Sequence, residues 1–242
     1  MAVRTRLGML TPSSNTVLEP VTAAMLAGLP DVTAHFSRFP VTEIALSPAA
    51  LGQFDDTPIL AAATLLAHAK VDVIAWNGTS ASWIGFESDE RLSARITAAT
   101  GIPARTTVLA YRILFQRLGI RRVGLVTPYT DDVQARIQAN WGAAGFSCQA
   151  ERHLGLADNF SFAEVTSETI AGMARAVAAE GCDAVAIVCT NMDGAHAAAA
   201  LEAELGVPVL DSVAVTLWAC LDAVHADPAR IKGWGQVFHP RS

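Results

Sequence analysis

Cys189 ends the apolar run Val185-Ala186-Ile187-Val188 and opens into the polar pair Thr190-Asn191. A thiol with an ordinary pKa near ~8.5 stays protonated at neutral pH and can give up a proton. As a thiolate it is a strong base and nucleophile. Thr79, Ser80 and Thr190 add hydroxyls in loops that also offer backbone N–H groups. Such donors suit a carboxylate or a developing enediolate oxyanion. Asn15, in Thr11-Pro12-Ser13-Ser14-Asn15-Thr16, can donate two hydrogen bonds, and Tyr129, in Thr127-Pro128-Tyr129-Thr130, can donate one. Two ordinary alternatives compete with this chemistry. A cysteine after an apolar strand can be a buried structural thiol, and a single Ser or Thr after a strand can simply cap a helix.

Other catalytic patterns do not occur. The chain has no HExxH, G-x-S-x-G, GxGxxG or Walker loop. His35, His68, His153, His225 and His239 show no zinc spacing, and His196 is expected to face outward from a helix. Trp83 and Phe86 can line an apolar pocket or pack in the core. No metal and no organic cofactor is expected. Cys148, Cys182 and Cys220 are expected to be buried free thiols, since no CxxC pair occurs.

The elements that must carry these residues alternate regularly. Strands are predicted at Leu7–Leu10, Val32–Phe36, Val71–Trp76, Arg122–Thr127, Ser147–Glu151, Asp183–Cys189 and Val207–Leu210. Alanine-rich helical patterns lie near Thr16–Ala27, Thr57–Ala69, Asp89–Thr100, Val108–Leu118, Asp131–Ala144, Ser167–Ala179, Ala195–Leu205 and Val213–Val224. Alternation of this kind implies an α/β fold with mainly parallel sheets. Ligands then sit beyond the carboxyl ends of the strands.

The pattern occurs twice. Arg6-Leu7-Gly8-Met9-Leu10-Thr11-Pro12 matches Arg122-Val123-Gly124-Leu125-Val126-Thr127-Pro128. Asp72-Val73-Ile74-Ala75 matches Asp183-Ala184-Val185-Ala186, and Gly101-Ile102-Pro103 matches Gly206-Val207-Pro208. The offsets are 116, 111 and 105 residues, in the same order. A duplicated half explains all three. Residues 1–107 are read as the first half, 108–215 as the second, and 216–242 as a helix and tail packing back on the first. The second match places Gly78 in one half where Cys189 stands in the other. Facing strand-end loops would form a ligand cleft between the halves.

These residues resemble the aspartate/glutamate racemase superfamily, and within it the branch of arylmalonate decarboxylases and maleate cis-trans isomerases. The likeness rests on Pro12-Ser13-Ser14-Asn15-Thr16, Gly78-Thr79-Ser80, Thr127-Pro128-Tyr129-Thr130-Asp131-Asp132-Val133, the strand ending at Cys189, and Gly206-Val207-Pro208-Val209. It implies two Rossmann-like halves about a pseudo-twofold axis, with cofactor-free chemistry in the cleft. In racemases and maleate isomerases of this kind, each half supplies a cysteine. Here the first position is Gly78, as in arylmalonate decarboxylases, which keep only the second-half cysteine. In those enzymes the Gly-Thr-Ser segment and the tyrosine bind the remaining carboxylate. Asn15 and Asn159 fit the maleate isomerases better, where such asparagines hold a carboxylate.

Composition excludes other classes. Of the 242 residues 52% are hydrophobic and 17% charged, against roughly 25% charged in ordinary globular chains, so disorder is excluded. No apolar stretch approaches the roughly 18–20 residues of a membrane span. The 17 Lys and Arg lie scattered among 23 acidic residues at net charge −6, which excludes a nucleic-acid footprint. The N-terminus carries no secretory pattern, so a cytoplasmic location is expected. The expected partner is a small mono- or dicarboxylate substrate, with self-association into a homo-oligomer open. Three functions follow in order. The first is a cofactor-independent decarboxylase of an α-substituted malonate, protonated by Cys189 alone. The second is a dicarboxylate isomerase or amino-acid racemase, and the third a non-catalytic carboxylate binder. On the first reading, Gly78→Cys is expected to introduce racemisation.

Overall fold

The computed structural model describes residues 4–47 and 56–239. The first half runs β1 (Thr5–Pro12), α1 (Leu18–Leu26), β2 (Val32–Phe39), α2 (Asp56–His68), β3 (Val73–Trp76), the short α3 (Ala81–Ile84), α4 (Phe86–Thr100) and β4 (Ala104–Thr106). After α5 (Thr107–Leu118) the second half runs β5 (Val123–Thr127), α6 (Asp131–Ala143), β6 (Glu151–His153), α7 (Ser167–Ala179), β7 (Ala184–Ile187), α8 (Ala195–Leu205) and β8 (Val209–Asp211). Helix α9 (Ser212–Ala223) follows.

Each half folds into a four-stranded sheet, ordered β2-β1-β3-β4 and β6-β5-β7-β8, with every pairing parallel. The central strands β3 and β7 are buried along their whole length. Cover on both faces is what their unbroken apolar runs require. Helices α4 and α8 end at Gly101 and Gly206, with φ of 70° and 71°. Glycine enters this left-handed conformation without strain, and the chain reverses into β4 and β8.

Three elements differ from the sequence reading: β6, β4 and the short α3, which no helical pattern announced. Ser147–Glu151 was the expected strand, but Ser147 makes only an isolated bridge to Arg122 and pairing settles on Glu151–His153. As an edge strand, β6 has one neighbour to fix its register. The three-residue β4 is too short to show a period, and it forms because β3 offers it an open edge.

The halves are joined by α5 and α9. Thr106 caps α5 by accepting from the Leu109 N–H, and Asp211 caps α9 by accepting from Val213 and Ala214. Thr107 donates to the carbonyl of Trp76 at 3.2 Å, and Ser212 to that of Ile187 at 3.0 Å. Thr107 meets Thr216 at 2.7 Å, while Tyr111 meets Ser212 at 3.1 Å. Each bond of these two pairs is the pseudo-twofold image of the other. Residues Ser212–Leu221 are buried throughout, because α9 packs against β3 and β4 of the first sheet as well as β8 of the second. The tail beyond α9 touches both halves and not the first alone. Arg230 pairs with Asp31 of the first half at 2.5 Å. The Trp234 and His196 rings meet at a tilt with centroids 4.8 Å apart, and the Gln236 N–H donates to Glu202 at 2.8 Å. Residues 240–242 of that tail lie outside the described residues.

Candidate active site

Strands β3 and β7 end at Trp76 and Ile187, and each chain then turns toward the opposite half. The loops Asn77-Gly78-Thr79-Ser80 and Val188-Cys189-Thr190-Asn191 meet across the cleft. Thr190 donates to the Asn77 carbonyl at 3.0 Å and accepts from Asn15 at 3.2 Å. Asn191 accepts from the Thr16 N–H at 2.9 Å and donates to the Asn159 carbonyl at 2.6 Å. The hydroxyls of Thr79 and Tyr129 lie 2.7 Å apart across the same boundary. Hydrogen bonds buried this deeply fix the two loops in register, since an unmade one would cost the full desolvation of its polar group.

Between the loops lies a cavity of about 20 Å³ lined by Gly78, Thr79, Ser80, Tyr129, Asn159, Cys189 and Thr190, with Pro12, Val41, Ile44, Trp76 and Trp83 as its apolar walls. Among the described residues, the backbone N–H groups of Gly78, Thr79, Cys189 and Thr190 donate to no protein acceptor. The lining includes no Lys or Arg. An anion here would be held by hydroxyls and amide N–H groups, as in an oxyanion hole. Among the described residues, no three His, Cys, Asp or Glu side chains are grouped to hold a metal ion.

Cys189 is 3% exposed, and its sulfur accepts from the Asn191 N–H at 3.4 Å. Burial pushes its pKa up to about 12, and the Asn191 N–H and the Tyr129 hydroxyl pull it back only in part. The thiol is therefore protonated through the whole neutral range. Burial also drives the Tyr129 phenol well above its usual value, and the neighbouring Cys189 adds to the effect. Both groups are donors at neutral pH, and neither is a ready base.

The sequence-derived residues fall into two shells. Cys189, Gly78, Thr79, Ser80, Tyr129, Thr190 and Asn159 line the cavity. Asn15 does not. It stands behind Thr190, with its carbonyl oxygen capping α1 through the Val17 and Leu18 N–H groups. The Asn159 amide donates to the Ser14 hydroxyl at 2.6 Å, which in turn donates to the Val41 carbonyl. Trp83 is both core and wall, 3% exposed and edge-on to Tyr129 at 5.2 Å. Phe86 packs toward Trp141 and is not among the lining residues. His196 is half exposed and paired with Asp193.

Sequence reading missed Val41, Ile44 and Trp76. Val41 and Ile44 belong to a segment that closes the cavity from the first half. The Ile44 N–H donates to the Ala157 carbonyl, and the Asn159 N–H to the Thr42 carbonyl, at 2.8 and 2.9 Å. Glu43 and Asp158 face each other in an antiparallel bridge. No local pattern announces this clasp. Trp76 was legible only as the last residue of an apolar strand. A Cβ built on Gly78 would lie 2.2 Å from its indole, so a side chain at this position requires the ring to shift.

Comparison with known proteins agrees with this architecture. Residues 7–238 match the family described as arylmalonate decarboxylase. The chain is 27% identical over 236 residues to a maleate isomerase of Pseudomonas putida, covering 92% of this chain and 93% of that one. It is 30% identical over 169 residues to an arylmalonate decarboxylase of Bordetella bronchiseptica, covering 69% of this chain and 70% of that one. The crystal structure of the maleate isomerase Iso from Pseudomonas putida S16 superposes with a TM-score of 0.88 at 24% identity, covering 97% and 98% of the two chains.

Proposed function

Since the chain belongs to the arylmalonate decarboxylase family, whose relatives include both decarboxylases and maleate isomerases, we propose that it is a cofactor-independent decarboxylase of an α-substituted malonate. The observation that carries this reading is the inequality of the two facing loops: one buried thiol at Cys189, and a glycine opposite it. A racemase or isomerase of the two-thiol kind needs an acid or nucleophile on each face of the substrate. A decarboxylase needs one.

In this mechanism one carboxylate is held by Thr79, Ser80, Tyr129 and the N–H groups of the Cys189-Thr190 turn. The other lies against the apolar walls, where loss of its water shell favours the uncharged product CO₂. The electron pair of the breaking C–C bond passes into the held carboxylate, giving an enediolate. The donors already aimed at that carboxylate stabilise the added charge without reorganising. The Cys189 S–H then transfers its proton to the α-carbon from one face. This step suits a thiol that burial keeps protonated, because an enediolate carbon is a far stronger base than a thiolate. A proton from solvent restores the thiol.

A cavity of about 20 Å³ holds about one water molecule. Substrate entry therefore needs the lining to move, and the proposed moving part is the clasp between residues 41–44 and 157–159, whose hydrogen bonds close the cavity. It recloses over the bound malonate.

Isomerisation of a small dicarboxylate is the second reading. It is favoured by the maleate isomerase relatives and by the position of Asn159 at the cavity. Against it, among the described residues the groups beside Gly78 that could replace a first thiol are the Thr79 and Ser80 hydroxyls, and neither has an activating base beside it.

One experiment separates these readings. The protein is incubated with a panel of α-aryl and α-alkyl malonates and with maleate, and products are followed by proton NMR. Loss of CO₂ from a malonate, giving one enantiomer, is expected. Conversion of maleate to fumarate without any malonate turnover would replace this reading with the isomerase.

A further inference from the structure

Trp76, the last residue of β3, enters the mechanism above only as part of an apolar wall, yet its indole stands where the side chain of a second acid would begin. Gly78 is not among the glycines with positive φ, so its backbone would accept any L residue. What keeps a side chain out is the indole. A Cβ on Gly78 would lie 2.2 Å from Cζ2, 2.4 Å from Cε2 and 2.8 Å from Nε1 of Trp76. These atoms belong to a rigid ring that is 1% exposed and packed against Phe39 at 4.8 Å between centroids. The indole N–H also lies near the buried carboxyl of Asp89. Phe39 and Asp89 hold the ring on these sides, so a side chain at residue 78 has to displace a packed indole.

The second half solves the same packing problem differently. At the 111-residue offset, Ile187 corresponds to Trp76 and Gly194 to Trp83. Ile187 leans over Gly194, where a Cβ would meet its Cδ1 at 2.7 Å. That retreat leaves residue 189 room for a cysteine. In the first half Trp83 fills the equivalent space, and the indole of Trp76 lies over residue 78 instead.

We infer that Trp76 is a specificity-determining residue: its indole occupies the volume a second acid–base group would need, and so restricts proton delivery to the Cys189 face. This inference rests on the decarboxylase reading for its stereochemical consequence, but not for its steric premise. A thiol at position 78 becomes usable only when Trp76 is reduced to the size of its second-half counterpart.

The test is a cycle of Gly78→Ala and Trp76→Ile read by thermal unfolding, followed by activity. Alone, Gly78→Ala lowers Tm by about 5 °C through overpacking. In the Trp76→Ile background it leaves Tm unchanged or raises it slightly, because alanine restricts the unfolded chain. Equal losses in both backgrounds would overturn the inference. Trp76→Val serves as the partner should the isoleucine variant not fold. In the activity arm, Trp76→Ile/Gly78→Cys exchanges the α-hydrogen of a 2-aryl acid for deuterium at least about 10-fold faster than Gly78→Cys alone, as expected when each 1.4 kcal/mol of relieved barrier is tenfold. Exchange in Gly78→Cys equal to that in the double variant would overturn it as well. Coupled melting with no malonate turned over by any variant, wild type included, would keep the steric role of Trp76 and remove the decarboxylase reading.

Discussion

In the first half the chain leaves its central strand through Trp76-Asn77-Gly78-Thr79, and in the second through Ile187-Val188-Cys189-Thr190. The skeleton around the two exits is the same. Trp76 and Ile187 each give their carbonyl to a hydroxyl at the start of the helix from the joining pair, Thr107 in one case and Ser212 in the other. Even the buried carboxylates correspond in place though not in origin. Asp211 caps α9 directly, whereas the Asp89 carboxyl comes from α4 to lie near Thr106 and the Val108 N–H at the start of α5. Duplication has preserved the hydrogen bonds that hold the halves together. Among the side chains that differ beside them, two bear on the chemistry, a cysteine against a glycine and an isoleucine against a tryptophan. Scaffold and chemistry can thus diverge separately, because the scaffold is built from backbone carbonyls and the chemistry from side chains one or two residues further on.

The largest effect expected from breaking this comparison is at the clasp, where residues 41–44 of one half meet 157–159 of the other. Glu43→Cys with Asp158→Cys places two cysteines opposite each other in an antiparallel bridge, where a disulfide can form. Oxidised, the variant is expected to lose turnover completely, and dithiothreitol to restore it. Unchanged CO₂ release from the oxidised form would mean that substrate enters elsewhere.

Next is Cys189→Ala. Removing the thiol proposed to deliver the proton should lower kcat by about 10³-fold, within the range general acids contribute, with the fold intact by circular dichroism. A loss below tenfold would mean that the proton comes from another donor. Because burial holds the wild-type thiol at a pKa of about 12, kcat should also stay flat from pH 6 to 9. An inflection near the ordinary thiol value would contradict this.

The smallest effect tests the likeness of the halves and not their difference. Burial raises both Asp89 and Asp211 from 3.8 to about 7. A carboxyl whose folded pKa exceeds its unfolded one stabilises the protein below the unfolded value, and that contribution is lost as pH rises toward the folded value. Stability should therefore fall between about pH 4 and 7, by an amount on the order of a few kcal/mol for each group. Asp89→Asn and Asp211→Asn should each flatten part of that slope, Asn being as good a cap as Asp. Urea titrations at pH 4 and 7 measure it. A slope changed by one variant only would show that the two carboxyls do not share a role.

Much of the molecule is legible in the sequence alone. The apolar runs through Val73–Trp76 and Ala184–Ile187, and the three repeated motifs, determined the parallel sheets and the duplication, because those signals are local and recur at fixed intervals. Cys189, Thr79, Ser80 and Thr190 were legible for the same reason, since they directly follow strand ends. The edge strand β6 was misplaced because its sequence has no second neighbour to answer to.

Three things were decided only by the fold. Asn15 withdrew behind Thr190, because the start of α1 competes for its side chain and only the packed structure decides that competition. Ile44 became a wall through a hydrogen bond to Ala157, more than a hundred positions away, and Val41 through bonds to Ser13 and Ser14. Gly78 was visible from the sequence as a missing thiol, but not the reason it must be glycine. That reason is the indole of Trp76 lying where a Cβ would go, a contact set by how a side chain packs and not by what precedes or follows it in the chain.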